Sequence, residues 1–267
     1  MKRTAQRRNI RLSQVIVLAL LFFPLLYAPL INADDSHKGK QTIQVACDPW
    51  PPWIEGEEGG PVTGGIFVDI TRQLLVNIGI KADFTVMPFT RVLNSIKNGS
   101  ADMALMVSKT GERSRYGLYS SRILSSPFYF YALHPAPLGQ WHSWQQLRPY
   151  KIGATRDFNY GPEFIDAMER ENISLYWSST EKASLALLLK SRLDLVVLNQ
   201  HTARSLTDKM PGGHKLVQIS PLLYNPDFSL FIARSSAFRH HLHQINAQIR
   251  AMQDNGEIMA ILKKYPL

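Results

Sequence analysis

Two stretches of this chain, Thr42 to Ser108 and Lys151 to Asn199, each run strand, helix, strand, helix, strand. Thr42 to Cys47 alternates as a strand and ends at "DPWPPW", where prolines stop strand pairing and place Trp50 and Trp53 on a loop. In "IFVDITRQLLVNIGI" the residues Ile66, Ile70, Leu74 and Ile78 recur every four positions, one apolar helix face closed by Gly79. Ala82 to Met87 alternates again, Thr90 to Asn98 is a short helix ending at Gly99, and "ADMALMV" is a buried strand leading to Ser108. The second stretch gives a strand at Lys151 to Thr155, a helix in "PEFIDAMEREN", a strand in "SLYWSS", a helix starting at Thr180 and a buried strand in "LDLVVLN". Such alternation builds parallel α/β units, and two of them imply two lobes. After Pro226 come a further strand, "FSLFIAR", and helical spacing at Leu242, Ile245, Ile249 and Met252, broken at Asn255-Gly256. These closing helices are expected to lie on the first lobe, which has too few helices to cover both faces of its sheet.

Lys2, Arg3, Arg7, Arg8 and Arg11 precede an apolar run from Val15 to Leu30 and a small residue, Ala33. That layout predicts a secretory signal peptide over residues 1–33, cleaved after Ala33, and hence a periplasmic protein. The run is interrupted by Pro24 and Pro29 and falls short of the ~20 residues that span a bilayer. With the leader removed, 25 basic residues face 21 acidic ones, and the remaining charge of +4 is too low for a nucleic-acid partner. Cys47, the single cysteine, has no internal disulfide partner and reads as a buried strand thiol. His240 and His243 in "HHLH" lack further metal ligands at suitable spacing, and "EGEEGG" lacks the Lys-Ser/Thr of a phosphate loop. No metal or cofactor is expected, and no nucleophile–base pairing stands out.

In an open parallel sheet, ligands gather beyond the carboxyl ends of the strands. "SKTGERSRYGLYSSRILSSPF" begins at such an end, with Thr110 placed to cap a helix starting at Gly111 or Glu112 and with Arg113 beside it. Unpaired backbone N–H groups, a helix terminus and a guanidinium would suit a planar carboxylate. The residues alone equally allow Arg113 to pair with a surface acid. Trp50 and Trp53 likewise read either as the wall of a ligand site or as core aromatics.

Further motifs in the chain give the stretch a context. "TGER" followed by "YSSRILSSPFYF", "PPW" followed by "GGIFVDI", the junctions "IKNGSAD" and "LKSRLD", and the closing "INAQIRAMQDNGEIMAILKKY" occur in order. From about Thr42 to Tyr265 the chain resembles the family 3 bacterial extracellular solute-binding proteins, periplasmic receptors typical of polar amino-acid ABC importers. The resemblance implies a type II periplasmic-binding-protein fold, α/β, with two lobes of mostly parallel sheet joined by two crossing strands. It implies lobe one over residues 42–130, lobe two over 131–224 and a return to lobe one over 225–267, with crossings near Phe130 to His134 and Leu223 to Asn225. It further implies that Ser108, Thr110 and Arg113 hold the ligand carboxylate, that Trp50 or Trp53 lines the cleft, and that Arg91 of "MPFTRVLNSI" makes a second contact. The partners it implies are a small carboxylate-bearing solute and an ABC permease in the inner membrane, with the receptor a monomer.

Two departures leave the ligand open. Where amino-acid receptors of the family carry an ammonium-binding aspartate, this chain has Asn199, so either the ligand has no ammonium there or another acid such as Asp48 or Asp157 supplies the charge. Where the family has a Gly-Thr-Thr-like turn, this chain reads "GATRDFNYG"; Arg156, Asp157, Asn159 and Tyr160 sit where that turn would face the cleft and read either as contacts to a ligand unlike a standard amino acid or as an ordinary solvated loop. A dehydratase on a cyclohexadienyl acid, with Glu112 or Glu163 as general acid, and a ligand-sensing accessory protein for a membrane signalling partner are the alternative functions.

Overall fold

The computed structural model describes residues 42–265; the expected leader lies outside them. In chain order the elements are β1 (Thr42–Cys47), β2 (Glu55–Gly56), β3 (Val62–Gly64), α1 (Ile66–Asn77), β4 (Lys81–Val86), α2 (Phe89–Asn98), β5 (Met103–Ser108), β6 (Gly117–Tyr119) and β7 (Leu124–Ser125). There follow β8 (Phe128–Leu133), β9 (Ile152–Thr155), α3 (Phe164–Arg170), β10 (Leu175–Ser178), α4 (Glu181–Leu189), β11 (Leu195–Asn199), α5 (Gln200–Thr207), β12 (Leu216–Tyr224), β13 (Asp227–Ala233), α6 (Leu242–Asp254) and α7 (Glu257–Leu262).

The apolar alternation of β1 and the uniformly buried β5 place these strands inside a sheet ordered β4-β1-β5-β13-β6, with β7 also on β13. The other large sheet is ordered β10-β9-β11-β8-β12. In each, three strands run parallel, β4-β1-β5 and β10-β9-β11, and antiparallel strands extend them. Sheet membership thus defines two lobes. α2 ends where the sequence puts glycine: Gly99, at φ 78, closes it in the left-handed conformation that costs a Cβ-free residue little. Thr180 caps α4, its hydroxyl accepting the Ala183 N–H at 3.1 Å. Ile245, Ile249 and Met252 of α6 are buried, and the Tyr265 hydroxyl donates to Asp69 of α1 at 2.8 Å, so the closing helices pack on the first lobe.

Sheet pairing moves one of the expected crossings. β8 pairs with β11 and β12 along its length, so Phe130 to His134 already belongs to the second lobe. The chain leaves the first sheet earlier, at Ser126-Pro127, between β7 and β8; Pro127, with no N–H to donate, suits the break in pairing. It returns through Asn225-Pro226, between β12 and β13.

One irregularity aims the site. Pairing of β5 with β13 slips between Ser229 and Phe231, beside Met106 at φ 51, so β5 carries an extra residue just before its end. A bulge of this kind bends the strand locally. Ser108 lies two residues beyond Met106.

Candidate functional site

Beyond the end of β5 the expected helix does not form. Between Ser108 and β6 there is room only for a single 3-10 turn, Arg113–Arg115, because Gly117 already pairs with Ala233 of β13. The Thr110 hydroxyl accepts the Arg113 backbone N–H at 3.2 Å, so it satisfies the turn itself. No α-helix terminus therefore contributes at this position, and the guanidinium carries the chemistry.

Arg113 is 6% exposed. Its Nη1 donates to the Ser108 carbonyl at 2.9 Å and to the Ser108 hydroxyl at 3.1 Å, and its Nη2 donates to the Asp157 carbonyl of the second lobe. The Phe89 ring stands 5.3 Å from the guanidinium carbon. No carboxylate forms a salt bridge with Arg113 among the described residues. The Nε–H and one Nη2 hydrogen have no acceptor among them either. Burial pulls the guanidinium below its ordinary pKa, opposed by Tyr119, Tyr116 and Asp157 nearby. A desolvated cation with no carboxylate in direct ion-pair contact favours an incoming anion.

Arg113 borders a cavity of about 340 Å³ between the lobes, lined by Thr90, Asn94, Lys97, Thr110, Glu112, Tyr116, Asp157 and Asn159 among others. On the other side of Arg113 is an aromatic cage. Trp50, Phe89, Phe128 and Phe228 form its walls, and Phe158, from the loop after β9, fills it. The Phe158 ring centre lies 4.9 Å from that of Trp50 and 5.2 Å from that of Phe89. Only about 10 Å³ remains open beside it.

A second interlobe cluster lies behind the cage. Glu181, the first residue of α4, is 2% exposed; its Oε2 accepts the Trp50 indole N–H at 2.6 Å and its Oε1 accepts the Asn199 backbone N–H at 2.6 Å. Asn199 caps α5 by accepting the His201 N–H at 3.1 Å, accepts the Trp53 indole N–H at 3.2 Å, and donates through Nδ2 to Ser126 at 2.8 Å. Burial pushes the Glu181 carboxyl up to about 7, against the pull of its two hydrogen bonds. Asp48, also buried, is pushed up to about 7 by the same cause.

The sequence candidates therefore separate. Thr110, Arg113 and Asp157 meet at the cavity, and Ser108 and Trp50 line the cage. Trp53, Tyr160 and Asn199 are buried structural groups; the Tyr160 hydroxyl accepts the Thr155 N–H at 2.7 Å. Arg91 is exposed and lines neither space, because it projects from the solvent side of α2. Glu112 borders the cavity, whereas Glu163 is exposed at the start of α3. Sequence reasoning missed Glu181, which at a helix start reads as an ordinary dipole-facing acid, and Phe158, the apolar residue in an otherwise polar turn.

Two lobes of α/β sheet joined by two crossings, with a buried cation at the cavity between them, make this a two-lobed solute-binding fold. The chain belongs to the bacterial extracellular solute-binding proteins, family 3, whose model matches residues 43–267. Similar solved structures include an arginine third transport system periplasmic binding protein from Legionella pneumophila, with TM-score 0.72 at 14% identity, covering 84% of this chain and 99% of that one. The substrate binding protein of an amino acid ABC transporter gives 0.71 at 17% identity, covering 84% and 99%. A histidine kinase sensor domain with similarity to periplasmic binding proteins gives 0.73 at 19%, covering 84% and 96%. At these identities the likeness shows the fold. No curated protein matches the chain significantly. No helix among the described residues is long and apolar enough to cross a membrane.

Proposed function

We propose that this protein is a periplasmic receptor, not an enzyme, which captures a small carboxylate-bearing solute between its lobes and delivers it to an ABC permease in the inner membrane. The observation that carries the reading is Arg113: a buried guanidinium with spare donors and no ion pair, on the wall of an interlobe cavity. Family membership supports solute capture, and the amino acid ABC transporter neighbour supports import as the destination. Two charge-assisted hydrogen bonds from Arg113 to a carboxylate would contribute about 1.5–3 kcal/mol each before desolvation.

A thermal-shift screen over amino acids, dicarboxylates and aromatic acids tests it. A ligand at a hundred times its Kd stabilises by about 2.7 kcal/mol. At least one carboxylate should raise Tm in the wild type and lose that effect in Arg113→Met, a variant of similar length without donors. Silence across the carboxylates, or a shift that Arg113→Met leaves intact, overturns the proposal.

A further inference from the structure

We propose that the solute carries a flat hydrophobic ring beside its carboxylate, and that Asp157 and Phe158 of this chain hold the place of such a molecule until it arrives. This rests on the receptor reading above and deepens it.

The two residues reproduce the required contacts in the required order. The Asp157 carbonyl oxygen sits on Arg113 Nη2, where a carboxylate oxygen would sit. One residue on, the Phe158 ring occupies the cage, tilted 57° to Trp50 and edge-on to Phe89 at 81°. Such tilted and edge-on arrangements are the favourable ones between aromatic quadrupoles. Trp50, Phe89 and Phe228 belong to the first lobe and Phe128 opens β8 at the crossing, whereas the occupant comes from the second lobe. With room for at most one water left, the cage fits one ring and is filled by one.

The occupant is built to leave. Asp157 stands at φ 63, a conformation that favours glycine, and it is exposed, with Phe158 only half-buried. Beyond the contact with Arg113, the loop is held to the first lobe by the Asp157 carboxylate on the Thr90 hydroxyl and by Asn159 Nδ2 on the Lys109 carbonyl at 3.4 Å. The adjoining cavity, bordered by Asp157, Phe158 and Asn159 themselves, gives the loop space to move into.

Competition with a tethered group defines what can enter. The tether gives Phe158 a high local concentration, so a free ligand must bring better contacts to displace it. A carboxylate does so at Arg113, replacing a neutral carbonyl by a charged acceptor. Only a ring does so in the cage. An acid without a ring leaves Phe158 in place and binds weakly.

The test compares 3-phenylpropanoate with propanoate by calorimetric titration of the wild type, Phe158→Ala and Phe158→Leu. Removing the internal competitor should tighten 3-phenylpropanoate binding at least tenfold in Phe158→Ala, and less in Phe158→Leu, with propanoate unchanged. If Phe158→Ala does not fold, Phe158→Leu carries the comparison in the same direction. Unchanged or weakened 3-phenylpropanoate binding in the folded variants overturns the inference, as does an equal gain for propanoate. If neither probe binds any variant while another carboxylate binds through Arg113, the receptor reading stands and this inference fails. If no carboxylate binds at all, both fail.

Discussion

Trp50 Nε1 donates to Glu181 Oε2 at 2.6 Å, so an indole of the first lobe and a carboxyl of the second meet where almost no water reaches. Trp50→Phe keeps one aromatic ring in the cage and deletes the indole donor together with the second ring. A buried acceptor left without its partner costs about 1–3 kcal/mol. We expect Tm to fall by several degrees, read by differential scanning calorimetry, and Glu181→Gln to fall comparably because its amide N–H would face a donor. Unaltered melting of both variants would show that this contact contributes nothing to the closed arrangement.

Stability should decline as the medium turns from acid to neutral. Asp48 and Glu181 have ordinary values of 3.8 and 4.5, and burial holds both near 7 in the folded chain. Between those limits the folded state binds more protons than the unfolded state, so unfolding becomes easier as pH rises through the window and levels off above about 7. Urea unfolding across the window measures the slope. Asp48→Asn should flatten it, and an equally steep slope in that variant would remove Asp48 from the account.

Gly65 precedes α1 at φ 115, and a Cβ there would lie 2.5 Å from the Trp53 carbonyl oxygen. Alanine would meet both an unfavourable backbone conformation, costing roughly 1–3 kcal/mol, and a contact with main chain that cannot yield. Gly65→Ala should therefore lower the urea midpoint without changing the slope of the transition. Because the turn also sets the loop carrying Trp50 and Trp53, the variant should shift tryptophan fluorescence in the folded state as well.

Cys47 is fully buried on β1, its thiol pushed up to about 12 by desolvation first and by neighbouring Asp48 second. A thiol with so little thiolate is a poor nucleophile. Ellman's reagent should leave it unmodified in the native protein at neutral pH and titrate it at once in denaturant. Prompt native-state reaction would mean that this region of β1 opens readily.

Much of this architecture is legible because periodicity is local. The four-residue spacing of Ile66 to Ile78, the glycine closing α2 and the hydroxyl of Thr180 each specify their element without help from distant residues. β12 and α5 escaped notice because their identity comes from partners: β12 is an edge strand whose exposed positions include Leu222, and α5 is a short polar helix capped by Asn199. The site divides similarly. Arg113 stands out in a strand-end motif, but that Asn199 ties the lobes together and that Phe158 enters the cage are long-range facts. Glu181 hid for the same reason, since its burial depends on Trp50, far away in sequence.

The position of β13 bears on how the chain reaches this form during synthesis. β13 lies between β5 and β6, and among the described residues β6 and β7 pair with no other strand, so the first sheet stays split until residues 227–233 have been made. The second sheet draws all its strands from the continuous stretch 128–224 and can assemble before that last strand has emerged. Meanwhile β5, apolar along nearly its whole length, waits with an open edge, a ready template for unwanted pairing. The nascent polypeptide thus completes its beginning last, and a holdase chaperone that shields this edge would be most useful just before the final forty or so residues emerge.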